Sequence, residues 1–153
     1  MSNSRENDIV QRTLSGTYSS SDITIIRRGA FAGCASLVSV DFPNVSSVGS
    51  SAFTSCASLI TANFPSATYI GSCAFSNCGK LSEVNCSQAE YLGNYAFFRC
   101  YSLPSLYAPS VSQIGAWAFE GCSCLSSINA PDVTNLGNNA FKSCWTLPSV
   151  SFS

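Results

Sequence analysis

The sequence predicts a solenoid of short parallel β-strands, stacked rung on rung with a 22-residue period. A Phe recurs at Phe31, Phe53, Phe75, Phe97, Phe119 and Phe141 with no insertion between copies. A Cys follows each of them three residues later, at Cys34, Cys56, Cys78, Cys100, Cys122 and Cys144. A Leu column keeps the same step through Leu37, Leu59, Leu81, Leu103, Leu125 and Leu147. One such unit cannot bury its apolar side chains alone. Stacking at about 4.8 Å per strand turns each column into a continuous seam.

The elements follow in chain order. Residues 1–12 form a polar N-terminal segment. Residues 13–36 read as an atypical capping repeat: Tyr18 falls on an apolar column, but Ser15 takes the Leu place and Arg27 the later Gly place. Residues 37–153 hold five regular repeats and a final strand. In each, the Val40 column and the Phe42 column are separated by one polar residue, which is strand periodicity. Pro43, Pro65, Pro109 and Pro131 then end the strand, where a missing amide donor is tolerated. A second apolar pair follows on the return path, as in Val45 and Val48 or Val111 and Ile114. Gly49, Gly71, Gly93, Gly115 and Gly137 mark a bend that needs either a positive φ or a close neighbouring backbone. The Ala-Phe-x-x-Cys segment is expected to make a single helical turn, too short to stand without stacking. No polar segment closes the array after Phe152, so that end is expected to be an open edge that meets another subunit or was once followed by more chain.

Composition narrows the function. Charged residues make up only 10% and the net charge is −1. No Lys/Arg stripe exists to neutralise phosphates, so nucleic acid is not an expected partner. No apolar stretch is long enough to span a bilayer, and the polar start lacks the apolar middle of a signal peptide. Nine Cys suggests a disulfide framework, but six share one repeat position. They are expected to form a column of buried reduced thiols instead. Cys86 replaces an inward Phe or Ala and reads as core. Cys73 and Cys124 lie at variable outward positions. Each is either an intermolecular or redox-active thiol, or an inert one.

The motif L-x-x-V-x-F-P-x-V-x-x-V-G-x-x-A-F-x-x-C, over residues 23–153, resembles the leucine-rich repeats of the BspA-like class, also called the Treponema pallidum type. The resemblance implies a leucine-rich-repeat solenoid: a right-handed arc with a parallel β-sheet on its concave face. It also implies surface roles in bacterial adhesion, binding of host or matrix proteins, and coaggregation. Similar short arrays occur in tail and other structural proteins of phages and prophages. The leaderless start and the lead-in before the first repeat resemble that second group.

Chemistry is not expected. There is no His, which removes the usual Ser-His-Asp and Cys-His systems. The eight acids do not pair by repeat position. No Gly-rich loop precedes a Lys as in a phosphate cradle. Cys122 and Cys124 form a C-x-C with no partner ligands. No metal or cofactor is expected.

Binding residues can be read as columns. The concave strand displays Asp41, Asn63, Asn85, Tyr107 and Asn129, beside Ser39, Thr61, Glu83 and Ser105. That face could read a glycan or peptide, or be a solvated sheet whose Asn side chains bond along the ladder. Around the turns, Tyr95, Phe98, Tyr101, Trp117 and Trp145 gather in the later repeats, where early repeats carry small residues. They are expected contact residues, or lateral packing over the bends. Tyr69 and Tyr91 make a smaller stacked pair. The expected function is therefore a non-enzymatic module that binds protein or glycan on a cell surface. The leading expectation is a phage or prophage virion component, located in the virion or in the cytoplasm before release. The alternative is a bacterial cell-surface adhesion module.

Overall fold

A computed structural model describes residues 14–150 and Phe152. The expected polar segment at 1–12 lies outside the described residues, as do Thr13 of the first repeat and Ser151 and Ser153 of the final strand. The chain winds right-handed through parallel rungs of 22 residues. Each rung places one strand in a first sheet and a two-residue strand in a second.

The first sheet runs β1 (Gly16–Ser19), β3 (Leu37–Asp41), β5 (Thr61–Asn63) and β7 (Glu83–Asn85), each hydrogen-bonded to the next. The second runs without interruption through β2 (Ile25–Ile26), β4 (Ser47–Val48), β6 (Tyr69–Ile70), β8 (Tyr91–Leu92), β10 (Gln113–Ile114) and β12 (Asn135–Leu136). β9 (Ser105–Tyr107) and β11 (Ser127–Asn129) pair only with each other. The first sheet is thus broken between β7 and β9. The cause lies at Pro104. Ile60, Ser82 and Ser126 each donate an amide to the preceding rung at 2.8–2.9 Å. Pro104 stands in the same register and has no amide to give.

The apolar columns meet between the two sheets and the turns. The first Phe column is a continuous ring stack, with centroids 4.9–5.3 Å apart and planes within 3–8° from Phe31 to Phe141. A second ladder, Phe42 on Phe64 at 5.5 Å, tilts against the first. Cys86, Ala108 and Ala130 replace it in the later rungs, all buried.

The helical turns expected on the return path do not form. Among the described residues there is no helix. The reason is an alternation of amide partners. Ala52, Thr54 and Cys56 donate three residues back within their own rung, to Gly49, Ser51 and Phe53. Ser51, Phe53 and Ser55, between them, donate to Ser72, Ala74 and Ser76 of the next rung at 2.7–2.8 Å. A helix would need every amide for itself. The chain therefore makes consecutive tight turns, each reset by a left-handed residue. Those residues fall into two columns: Gly29, Ser51, Cys73, Tyr95, Trp117 and Asn139, then Gly33, Ser55, Asn77, Arg99, Gly121 and Ser143, with φ of 54–77°. Gly49 and its equivalents are absent from both. They are glycine for the other reason, a close neighbouring backbone.

No disulfide joins the nine cysteines, all of which lie within the described residues. Cys56, Cys78, Cys100, Cys122 and Cys144 each donate a thiol proton to the Phe carbonyl one rung back, at 3.0–3.2 Å. That carbonyl already accepts the amide of its own rung's Cys, so the thiol fills its second lone pair. Burial pushes the Cys86 thiol up to about 12 and the Cys144 thiol up to about 11, from an ordinary 9.0. The unfolded chain then loses these protons before the folded one does. Stability should be full below pH 9 and fall as pH rises toward 11–12. Urea melts at pH 8 and about pH 10.5 should show that fall; equal midpoints would refute it. At neutral pH, a thiol-reactive dye should label exposed Cys124 first and half-buried Cys73 more slowly. Rapid labelling of the buried column in folded protein would contradict this packing.

Candidate functional site

Two surfaces carry the residues singled out by sequence. On the first sheet, Asn63 Nδ2 donates to Asp41 Oδ1 at 2.7 Å, and Asn85 Nδ2 donates to Asn63 Oδ1 at 2.8 Å. The Asp41 carboxylate only accepts, so it sets the direction of both amides. Asn63 and Asn85 are therefore ladder residues as well as surface ones. Beside them the Ser39 and Thr61 hydroxyls share a 2.6 Å hydrogen bond.

The ladder stops where the sheet breaks. Asn85 has its Oδ1 turned to the Ser87 amide at 3.3 Å, and the next rung presents Tyr107 in place of an amide. Tyr107 is 61% exposed. A shallow depression of about 430 Å³ lies there, bordered by Thr61, Asn63, Glu83, Asn85, Ser105 and Tyr107. Glu83 is the charged residue of its border; the column reading displays it on this face without naming it among the binding residues. Its one signal in the sequence is that a carboxylate stands in a column of Ser and Thr. Asn129 lies beyond Tyr107, exposed and off the ladder.

On the turn side, three of the five expected aromatics come together. Tyr95 stacks on Trp117 at 5.3 Å and 8°, and meets Phe98 edge-on at 5.4 Å. The Arg99 guanidinium sits 4.9 Å over the Phe98 ring. Tyr101 and Trp145 do not join them. They share another column two rungs apart, with Ser123 between. Tyr101 lies over Gly79, where an added Cβ would be 3.4 Å from its ring. Trp145 is 81% exposed. Tyr95 and Trp117 both hold left-handed backbone, at φ 57° and 54°. Ser51, Cys73 and Asn139 of the same column hold the same angle, so the stacked rungs set it whatever the side chain. The Tyr95–Trp117 stack adds about 0.5–1.5 kcal/mol beyond the area the rings bury.

No group of three or more His, Cys, Asp and Glu side chains gathers as a metal site among the described residues. No helix there is long and apolar enough to cross a membrane.

The family model for the BspA type leucine-rich repeat region matches residues 12–110 and 90–153, in six copies. The chain belongs to that family. Among solved structures, it is similar to a leucine-rich repeat protein from Bacteroides ovatus, at 29% identity and a TM-score of 0.79. That match covers 88% of this chain and 37% of the relative. A leucine-rich repeat protein from Eubacterium ventriosum is 28% identical with a TM-score of 0.74, over 86% of this chain and 37% of its own. A leucine-rich cell surface protein from Faecalibacterium prausnitzii shares the fold, at 22% identity and a TM-score of 0.70, over 83% of this chain and 42% of its own. The chain thus spans less than half the length of each of these relatives. No curated protein matches it in sequence. As a member of this family, the BspA-type array is a non-enzymatic binding scaffold.

Proposed function

We propose that this BspA-type array is a bacterial cell-surface adhesion module that holds a protein partner against its first sheet. The observation that carries the reading is the break at Pro104. It interrupts a self-satisfied polar ladder and leaves Tyr107 exposed beside Asn85 and the Glu83 carboxylate. A rigid aromatic with nearby polar groups is the usual make-up of a contact hot spot. The cell surface protein that shares the fold supports the location. A virion component, the leading expectation from sequence, gains no support from these relatives. The turn-side cluster of Tyr95, Phe98 and Trp117, with the Arg99 guanidinium over it, is a second candidate contact.

The test is binding of the purified chain to immobilised extracellular-matrix proteins. Saturable binding to at least one is expected, weakened roughly 30-fold by Tyr107→Ala and not by Trp145→Ala. Binding that ignores both Tyr107→Ala and Glu83→Gln would overturn the reading. Self-association belongs to the same proposal. A concentration-independent monomer mass in light scattering would remove it.

A further inference from the structure

We propose that the second sheet carries a separate site for an uncharged carbohydrate ring, in the groove formed along β8, β10 and β12. The groove has a volume of about 670 Å³ and spans three rungs. Sites for small ligands occupy roughly 300–1,000 Å³. Its floor is bare because stacking forbids side chains there. A Cβ on Gly115 would lie 2.4 Å from the Asn94 nitrogen, and one on Gly137 would lie 2.2 Å from the Ala116 nitrogen.

The walls supply one aromatic ring and four side-chain amides. Tyr91 stacks on Tyr69 at 4.9 Å and 4° on one side. On the other side its register neighbour is Gln113, so the aromatic stack ends at the groove. Asn94 Oδ1 accepts the Ala116 amide at 2.8 Å, which fixes the side chain and leaves Nδ2 to donate. The side-chain amides of Gln113, Asn135 and Asn138 make no hydrogen bond to the protein among the described residues. They are present, exposed and unspent.

Chemistry selects the ligand. An amide offers a donor and an acceptor side by side, as does each hydroxyl of a sugar diol. The Tyr91 ring offers an apolar face to ring C–H groups. No charged residue lines the groove. A phosphate or carboxylate ligand would call for Arg or Lys, and a cation for Asp or Glu. An apolar peptide anchor would find only Leu136 exposed. An uncharged pyranose matches this lining. The inference stands apart from the first-sheet reading, since the two share no residue.

The test is a titration of the isotope-labelled chain with hexasaccharides of glucose, mannose and galactose, and with a galacturonate hexamer as the charged control. Side-chain amide signals of Gln113, Asn135 and Asn138 should shift saturably with at least one neutral sugar. Gln113→Ala and Tyr91→Ala should each weaken that binding by about tenfold, the loss of one good contact. Gln113→Ala removes no backbone bond of the sheet, so it separates binding from folding. Tyr107→Ala should leave sugar binding unchanged. Absence of any shift, preference for the galacturonate, insensitivity to both groove variants, or loss of binding in Tyr107→Ala would each overturn the proposal.

Discussion

Replacing Phe97 by Ala should destabilise the protein by about 3–5 kcal/mol. Phe97 is fully buried and stacks at 5.3 Å on both Phe75 and Phe119. The gap left behind cannot close easily. Its rung is pinned above and below by the Phe97 amide on Ala118 at 2.7 Å and the Phe75 amide on Ala96 at 2.8 Å. A core that relaxes little keeps its cavity, and the cost is then near the upper end. In an array whose stability is a sum over neighbours, a central defect also weakens both adjoining interfaces. The melting midpoint should fall by about 10 °C or more. A fall no larger than for the exposed Ser110→Ala variant would show that the stack contributes little.

Gly93→Ala should cost about 1–3 kcal/mol although it adds one methyl group at a buried bend. The new Cβ would stand 2.5 Å from the Ser72 nitrogen and 2.7 Å from the Gly71 carbonyl carbon. Both are backbone atoms of the preceding rung, so no rotamer change relieves the clash. The rungs must separate, which lengthens the hydrogen bond from the Gly93 amide to the Ile70 carbonyl, now 2.9 Å. Gly33→Ala would fail differently, through its φ of 72° with open space around it. Chemical denaturation separates the two cases when Gly33→Asn is included. Asn tolerates left-handed backbone and should recover part of the loss at position 33, whereas Gly93→Asn should recover none. Recovery at position 93 would overturn the close-approach account.

The apolar columns were legible because each is written in one kind of residue. Leu37 to Leu147 and Phe31 to Phe141 announce the period, and the period implies the stacked sheets. The left-handed columns were not legible, because Ser51, Cys73, Tyr95 and Trp117 share a backbone angle and no side-chain chemistry. With them hidden, the Ala-Phe-x-x-Cys segment reads as a helical turn. Its alternate amides in fact belong to the next rung. The sheet break has its mark at Pro104, but a proline beside a short strand reads equally as a strand end, as Pro43 and its equivalents are. The candidate sites were half legible. Tyr107, Asn63 and Asn85 stood out as a surface column, while the role of Glu83 depends on a depression that needs coordinates. The second-sheet groove was not legible, since its amides lie in two separate columns, Asn94 with Asn138 and Gln113 with Asn135, and only stacking brings the two together.

The alternation of amides has a consequence for how such chains change over time. Half of each turn's amides close on their own rung, and the other half meet the same backbone positions in every neighbour. Any rung that keeps the column residues, the close-approach Gly among them, therefore fits beside any other. Excising the 22 residues from Gly93 to Ile114 would bring Gly115 to follow Leu92 and leave every column in phase. Duplicating them would do the same. Array length can drift by whole units without a refolding penalty, and surface columns can be shuffled between copies like interchangeable tiles.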